Sequence, residues 1–219
     1  MIRKYTILIF LLLAQLNNLT AQKINLGYEA GYGTYEMTEI KSILETSMNS
    51  NVLQPKRTDN FPGYLYFRPY LGIEYRNFNV GVGYTLMSTG ARYTIQDYSG
   101  EYKLDAQIVG NAVGLFLELP VYTNDRFKFL IAAEGGIIFN KINIKESLQL
   151  NDIGQPYNEQ NNSNQTSKNL FAKPYLKAEY KIAKNINSTI SIGYHKDINQ
   201  IVADWDGIRA GIGICYNFE

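Results

Sequence analysis

The chain has 219 residues, with 21 basic and 20 acidic side chains, a single histidine and a single cysteine. A net charge this close to zero gives no electrostatic basis for binding nucleic acid. One cysteine excludes an intrachain disulfide and a cysteine-cluster metal site, and neither a metal nor a cofactor is predicted. The 18 tyrosines suit a protein at a boundary between apolar and aqueous surroundings.

Residues 1–21 have the pattern of a secretory signal. Arg3 and Lys4 form the basic start, residues 7–13 form an apolar stretch, and Leu19-Thr20-Ala21 resembles a small-residue cleavage site. A membrane-spanning helix would need a much longer apolar run than this one. We therefore predict a mature domain over residues 22–219.

A period-two apolar pattern returns eight times after the signal. In the last repeat, Ile208, Ile212 and Tyr216 share one face, whereas Arg209 and Gly213 share the other. Apolar residues on the outside and polar residues on the inside are typical of a transmembrane β-barrel. The sequence predicts an all-β fold, an eight-stranded antiparallel barrel with strands at about 24–35, 64–76, 79–88, 104–122, 127–142, 169–182, 186–195 and 208–218.

The links between these strands alternate in length. Three are short, near residues 77–78, 123–126 and 183–185, and four are long, at 36–63, 89–103, 146–168 and 196–206. This alternation predicts short periplasmic turns and long extracellular loops, the first of which carries a helix. The Asn- and Gln-rich loop 146–168 is predicted to be mobile.

Three local features weaken the strand pattern. Pro69 and Pro174 fall inside the second and sixth strands, where a proline cannot donate to the ladder. The alternation also slips between Phe139 and Ile142, which predicts a bulge or the point where the fifth strand leaves the membrane.

Nine charged residues have the parity of the barrel interior. A charge facing lipid would cost several kcal/mol, so inward placement is expected. We interpret the set as a paired network that fills the lumen, with an ion or proton path as the alternative. Its members are Glu29, Arg68, Glu74, Glu118, Glu134, Lys173, Lys177, Glu179 and Arg209.

His195 is the one candidate for catalysis at the rim. It is followed by Lys196 and Asp197, and a histidine base needs a hydroxyl nucleophile beside it and an acid to orient it. No serine stands at a suitable spacing, so we predict a solvated rim histidine without a catalytic role, and a protein that is not an enzyme.

A helical pattern covers residues 37–48. Thr38 is a candidate cap and Glu39 suits the positive helix start. The pattern predicts a short helix that either packs on the barrel mouth or offers a docking surface to a partner protein. Its apolar stripe consists of Met37, Ile40, Ile43, Leu44 and Met48.

Several segments together resemble a known family. They are the Ala21-Gln22 junction, residues 31–37 running into 39–41, Asp59-Asn60-Phe61-Pro62, and residues 88–93. The chain is similar to the small eight-stranded outer-membrane barrels of Bacteroidota, a porin-like family related in shape to the OmpA transmembrane domain. The resemblance implies outer-membrane location and an eight-stranded fold, and it supplies no catalytic residues.

The favoured function is an outer-membrane barrel with a side-chain-filled lumen. It would act as a structural or surface-interaction protein, or as an accessory subunit of a larger outer-membrane complex. The expected partners are outer-membrane lipid and another outer-membrane or surface protein, and not nucleic acid. A narrow porin-like channel for ions or small solutes is the alternative, and a rim enzyme acting on lipid is the least favoured.

Overall fold

The computed structural model describes residues 22–49, 56–75, 77–98, 100–150, 157–199 and 203–218. The predicted signal segment 1–21 lies outside the described residues. The elements in chain order are β1 (Gln22–Gly33), α1 (Thr38–Asn49), β2 (Lys56–Asn60), β3 (Tyr64–Tyr75), β4 (Phe78–Asp97), β5 (Gly100–Thr123), β6 (Phe127–Leu150), β7 (Tyr157–Ala183), β8 (Ile186–Asp197) and β9 (Gly207–Phe218).

Eight of the strands form a closed antiparallel ring. The strands neighbour one another in the order β4-β3-β1-β9-β8-β7-β6-β5, and pairing of β4 with β5 closes the ring. The first strand of the described chain, β1, pairs with the last, β9. The predicted eight-stranded barrel is confirmed. The short strand β2 lies outside the ring, paired with the far end of β4. We call the end with the three short links the turn end, and the other the hairpin end.

The outer surface of the ring carries a continuous apolar belt. The register sets Leu26, Leu71, Val82 and Leu115 side by side across four strands, all exposed. From Ile24 to Tyr32 the strand rises roughly 27 Å at 3.4 Å per residue, or about 20 Å along the axis after a typical tilt. This height suits a bilayer, so the fold is a transmembrane β-barrel. Among the described residues, no helix is long and apolar enough to cross a membrane.

Aromatic pairs mark the lower border of the belt. The rings of Phe127 and Tyr180 lie 4.9 Å apart, and those of Tyr216 and Phe218 lie 4.7 Å apart, all beside the turn end. Tyrosine and phenylalanine favour the interface between lipid and water, where a ring can stay in apolar surroundings while a hydroxyl stays hydrated. These pairs therefore place one membrane boundary at the level of the short turns.

Two of the predicted long loops are strands instead. β4 and β5 stay paired up to Asp97 and Gly100, and β6 and β7 stay paired up to Leu150 and Tyr157. The prediction of loops at 89–103 and 146–168 is wrong for most of their length. Together the four extensions form a sheet that continues past the belt, which we call the upper sheet; β2 pairs with its β4 edge.

Of the two explanations predicted for the slip in alternation near Phe139–Ile142, the bulge is wrong and the exit of the strand from the membrane fits the structure. The pairing of β6 with β5 and with β7 runs through this segment without a register shift. What changes there is polarity: Phe139 is the last apolar outward residue of β6, Lys141 above it is exposed, and Ile138 and Ile142 point inward and are buried. Above the membrane the outer face meets water and the inner face becomes apolar, so the alternation inverts while the strand continues.

Pro69 and Pro174 both lie in strands of the ring, and each lies at a gap in the hydrogen-bonded ladder to a neighbouring strand. Pairing of β3 with β4 skips Arg68 and Pro69, and pairing of β7 with β8 skips Lys173 and Pro174. The register is the same on both sides of each gap. A proline lacks the N–H that would bond the neighbouring strand, and a short gap accommodates it without a bulge.

Candidate functional site

Glu134 on β6 is the centre of the lumen. Its carboxylate lies 3.1 Å from Arg68 Nη2 on β3 and 2.6 Å from Lys173 Nζ on β7. The side chains of all three are buried. The Arg68 guanidinium also faces the rings of Tyr70 and Phe116 at 5.0 and 5.2 Å. A buried carboxylate is tolerable only when its charge is matched at short range, and here two cations from opposite strands match it.

Glu118 on β5 forms a second centre nearer the turn end. It accepts hydrogen bonds from Tyr175 at 2.9 Å and Asn79 at 2.8 Å, and Lys177 Nζ lies 3.1 Å away. Lys177 also pairs with Glu179 at 3.0 Å. Both oxygens of Glu118 and the Lys177 ammonium have polar partners, which offsets the cost of taking the charges out of water.

The three remaining predicted lumen residues differ in burial: Glu29 and Arg209 are buried, and Glu74 is not. Glu29 accepts a hydrogen bond from Tyr66 at 2.7 Å, and Arg209 lies over the Tyr66 ring at 6.0 Å. Glu74 is the exception: it is partly exposed and pairs with Lys128 at the turn end. The structure thus brings eight of the nine predicted residues into the buried middle of the lumen, four acidic and four basic.

The turn end of the lumen is an open vestibule. A cavity of about 600 Å³ lies there, bordered by charged and amide side chains that include Glu74, Lys128, Glu179 and Asn217. The layer around Glu118 lies directly above it and is buried. Water therefore enters the barrel from the turn end and meets the paired charges within a short distance.

The sequence predicted that His195 lies on a solvated rim, and this prediction is wrong. Its side chain is 0% exposed, its ring stacks on Phe171 with centroids 4.8 Å apart, and its Nε2 is 3.0 Å from Asp197 Oδ1. The cause is the segment 203–206, which folds back into the mouth. Asp197 Oδ2 accepts hydrogen bonds from the Trp205 backbone at 3.0 Å and from Asn169 at 2.9 Å.

Trp205 plugs the hairpin end of the lumen. It is fully buried, and its indole N–H donates to Asn140 at 2.7 Å. Its ring meets Tyr35 and Tyr64 edge-on, with centroids 5.5 and 5.2 Å away. A buried tryptophan needs a partner for its N–H, and Asn140 supplies it. The plug is thus held by its ring contacts, its side-chain hydrogen bond and its backbone.

Helix α1 closes the mouth above Trp205. Met37, Ile40 and Leu44 are buried in the same apolar cluster, whereas Ile43 is 53% exposed and lies outside the buried stripe. The side chain of Met48 lies outside the described residues. The burial of three of the five predicted positions favours packing on the barrel mouth over a helix that offers its apolar stripe to a partner.

The cap of α1 comes from a distant residue. The first helical bond runs from Lys41 N to Met37 O at 3.0 Å, so the N-cap position is Met37 and not Thr38. The Asp204 carboxylate accepts from the N–H groups of Met37 and Thr38. Burial, helped by the nearby charge of Asp206, raises the pKa of Asp204, and these two N–H groups oppose that rise. The segment 203–206 and the helix therefore hold each other in place.

The helix that closes the mouth was predicted from the sequence, but the segment around Trp205 and the role of Asp197 were missed. Trp205 is the only tryptophan of the sequence and stands between Asp204 and Asp206. This unusual triplet could have marked residues 204–206 as a candidate functional segment. The role of Asp197 was hidden because its partners come from β7 and from segment 203–206. Among the described residues, no group of three or more His, Cys, Asp and Glu side chains is arranged to hold a metal ion.

Comparison with known proteins finds likeness to solved structures at low sequence identity. No protein-family profile and no curated protein sequence matches it. Neisserial surface protein A is 14% identical over 91% of this chain and 100% of its own, with a TM-score of 0.42. Ail of Yersinia pestis is 12% identical over 90% and 97%, at 0.43. The β-barrel domain of Pseudomonas aeruginosa OprF is 11% identical over 89% and 97%, at 0.41. The fold assignment rests on strand order and register, not on these values.

Removing the central charge should destabilise the barrel strongly. In Glu134→Gln, Arg68 and Lys173 lose their common partner while buried, which costs about 3–5 kcal/mol for a broken buried pair. Urea unfolding of the protein in lipid bilayers measures this loss of stability, and the heat-dependent shift in gel mobility reports the folded fraction. The matched control is Glu74→Gln, whose partner Lys128 is partly exposed, and which should cost under about 1 kcal/mol. Equal losses in the two variants would contradict a central role for Glu134.

Gly110 on β5 should control the position of the Trp205 plug. A Cβ at Gly110 would lie 2.9 Å from Trp205 Cζ2, so Gly110→Val should displace the indole ring. Because Trp205 is the only tryptophan, its fluorescence should shift to longer wavelength and become accessible to acrylamide. Gly135→Val is the control, since a Cβ there has only an ordinary contact at 3.5 Å. Unchanged emission in Gly110→Val would show that the ring is not held against this strand.

Proposed function

We propose that the protein is a non-conducting outer-membrane barrel that acts as a structural or surface-interaction protein, as an accessory subunit of a larger outer-membrane complex. The observation that carries this is the closed lumen. Eight charged side chains in its middle are buried, and six of them form ion pairs. Trp205 and α1 close the mouth above them. A barrel with no open path through it works through its surfaces.

The channel alternative has one observation in its favour, the vestibule at the turn end. It is lined by polar and charged groups, as a pore entrance would be. The vestibule reaches Glu179, which is paired with Lys177. An ion could proceed only if the pairs around Glu118 and Glu134 separated, and each of those carboxylates has at least two partners. A closed barrel is therefore better supported than a channel.

The enzyme alternative depends on His195 and Asp197. A catalytic base must touch its substrate, and the His195 side chain is 0% exposed beneath the mouth. The second oxygen of Asp197 is used to hold Trp205 and Asn169. The dyad is better explained as an anchor for segment 203–206 than as part of a reaction centre.

The upper sheet offers an edge for an interacting protein. Pairing of β7 with β8 begins only at Phe171, so β7 from Tyr157 to Asn169 has a neighbouring strand on one side alone within the described residues. The stretch contains no proline and no register shift. Such an edge exposes backbone N–H and C=O groups that an extended segment can pair with. This supports an interaction role, and we propose that the partner binds the edge of the sheet and not α1.

The outer membrane is the proposed location, with the hairpin end outside the cell, and the porin-like barrels of Bacteroidota are the proposed family. The apolar belt requires a membrane, and barrels of this kind have short turns on the periplasmic side. The segments that resemble that family support the finer assignment. The predicted signal 1–21 agrees with export.

Cysteine labelling tests the orientation. In a Cys215→Ser background, cysteine at Asn161 in the upper sheet should react with a membrane-impermeant maleimide on intact cells. Cysteine at Asn124 in a short turn should react only after the cells are lysed. Both side chains are exposed, so a difference reports location alone. Labelling of the Asn124 position on intact cells would reverse the orientation, and recovery of the chain in the soluble periplasm would refute membrane insertion.

Conductance tests the closed lumen. The pure protein in a planar bilayer should show no steady conductance, because the paired charges around Glu134 leave no path. Trp205→Ala should also remain closed, since it removes the plug but leaves the charge network in place. Steady channels in the wild-type protein would overturn the proposal in favour of the porin-like alternative. Channels in Trp205→Ala alone would show that the plug, and not the network, is the barrier.

A further inference from the structure

The outward face of the upper sheet carries an excess of positive charge. Three lysines on the adjacent strands β6 and β7 lie at increasing height above the upper border of the belt, in the order Lys168, Lys141 and Lys145. All three are exposed, and within the described ranges none forms an ion pair with a carboxylate. Asp105, the cross-strand neighbour of Lys145, pairs instead with Arg92 and Lys103. The described charged residues of this face on β4 to β7 are Arg92, Lys103, Lys141, Lys145 and Lys168 against Glu101 and Asp105.

This face also holds a groove. A concavity of about 420 Å³ is bordered by Ser88, Arg92, Asp105, Gln107, Asn143 and Lys145, with Gly90 in its floor. Gly90 lacks a side chain, and a Cβ there would lie 2.6 Å from the Ala106 carbonyl oxygen, so the floor cannot easily be filled. The rim of the groove thus combines two cations with hydroxyl and amide groups and with one carboxylate, which is paired with Arg92.

The groove is continuous with the membrane-facing surface. Lys168 lies beside Phe139, the last apolar residue of β6, with its ammonium 5.6 Å from the ring centroid. Below this level the outward residues of the neighbouring strands are apolar, such as Leu86, Val113 and Leu170. A molecule whose polar part filled the groove would have its acyl chains along the belt.

The height of the cationic ladder indicates a tall headgroup. Phe139 and Lys145 are six residues apart on β6, which corresponds to roughly 15 Å along the barrel axis at 3.4 Å per residue and a typical strand tilt. A single phosphodiester headgroup would meet only the lowest lysine. Several phosphates carried on a sugar scaffold would reach the whole ladder, and its hydroxyls would meet Ser88, Gln107 and Asn143.

We propose that the outward face of β4 to β7 binds a phosphorylated glycolipid of the outer leaflet. The phosphates pair with Lys141, Lys145 and Lys168, and the sugar occupies the groove above Gly90. Arg92 is held by Asp105, with Nε 2.5 Å from the carboxylate, so it borders the site in a fixed position. The assignment rests on the proposed outer-membrane orientation and is independent of whether the lumen conducts.

Binding of fluorescent bisphosphorylated lipid A to the refolded protein in zwitterionic detergent micelles tests this. Lys141→Gln, Lys145→Gln and Lys168→Gln together should weaken binding by roughly tenfold or more, since each lysine near an anionic lipid surface contributes about a factor of five. The variant should fold normally, because these side chains are exposed outside the belt. Heat-dependent gel mobility verifies folding before each measurement.

The control variant is Lys23→Gln, Lys181→Gln and Lys184→Gln, which makes the same change in charge at the turn end. It should bind lipid A like the wild-type protein. Equal binding by the ladder variant, or an equal loss in the control, would overturn the site. Competition by phosphatidylglycerol as strong as that by lipid A would overturn the glycolipid assignment. Because no step uses the lumen, failure here leaves the conductance result unaffected.

Discussion

The pairing of Glu134 with Arg68 and Lys173 is the interaction on which the barrel depends. An eight-stranded ring has an interior that side chains must fill, and its lipid-facing exterior forces polar residues inward. Charges placed there lose their hydration, which is recovered only by close pairing. Glu134 joins β6 to β3 across the lumen and to the neighbouring strand β7. Each of its cations precedes a proline at which a ladder is interrupted, so the ion pairs hold β3 and β7 to β6 at the levels where β3 is not bonded to β4 and β7 is not bonded to β8.

Above this layer the interior follows the opposite rule. Once the strands pass the belt, their outer face is hydrated, and the inner face becomes the place for apolar residues such as Ile138 and Ile142. The upper sheet therefore has a core of its own, made of inward strand residues, Trp205 and the apolar side of α1. Polar contacts over long sequence distances hold it, as when Asp204 caps a helix that begins at Thr38. Closure of the mouth is a consequence of this second core.

The ring was predictable from sequence because a lipid-facing belt imposes strict alternation, and eight repeats of it gave the strand number. The upper sheet was not, since the Asn- and Gln-rich part of β7 is exposed on both faces and shows no apolar contrast, and residues 146–168 have the composition of a loop. Lumen charges such as Glu118 were identifiable by parity, but their partners depend on register. His195 was placed on a solvated rim because no local signal shows that Trp205 folds over it. A capping residue more than one hundred positions away leaves no local pattern at all.

The two ends of the barrel differ in what they leave for function. At the turn end, a charged vestibule stops at paired residues such as Glu179 and Lys177. At the hairpin end, Trp205 and α1 cover much of the inner face of the upper sheet, and among the described residues its outer face and the β7 edge stay exposed. An edge binds through backbone groups, which places little demand on side chains beyond solubility, and the Asn- and Gln-rich composition of β7 meets that demand. The lipid site proposed on the outer face would use side chains, those of Lys141, Lys145 and Lys168 among them. The two proposed sites on this sheet are therefore compatible, because the face and the edge would use different atoms.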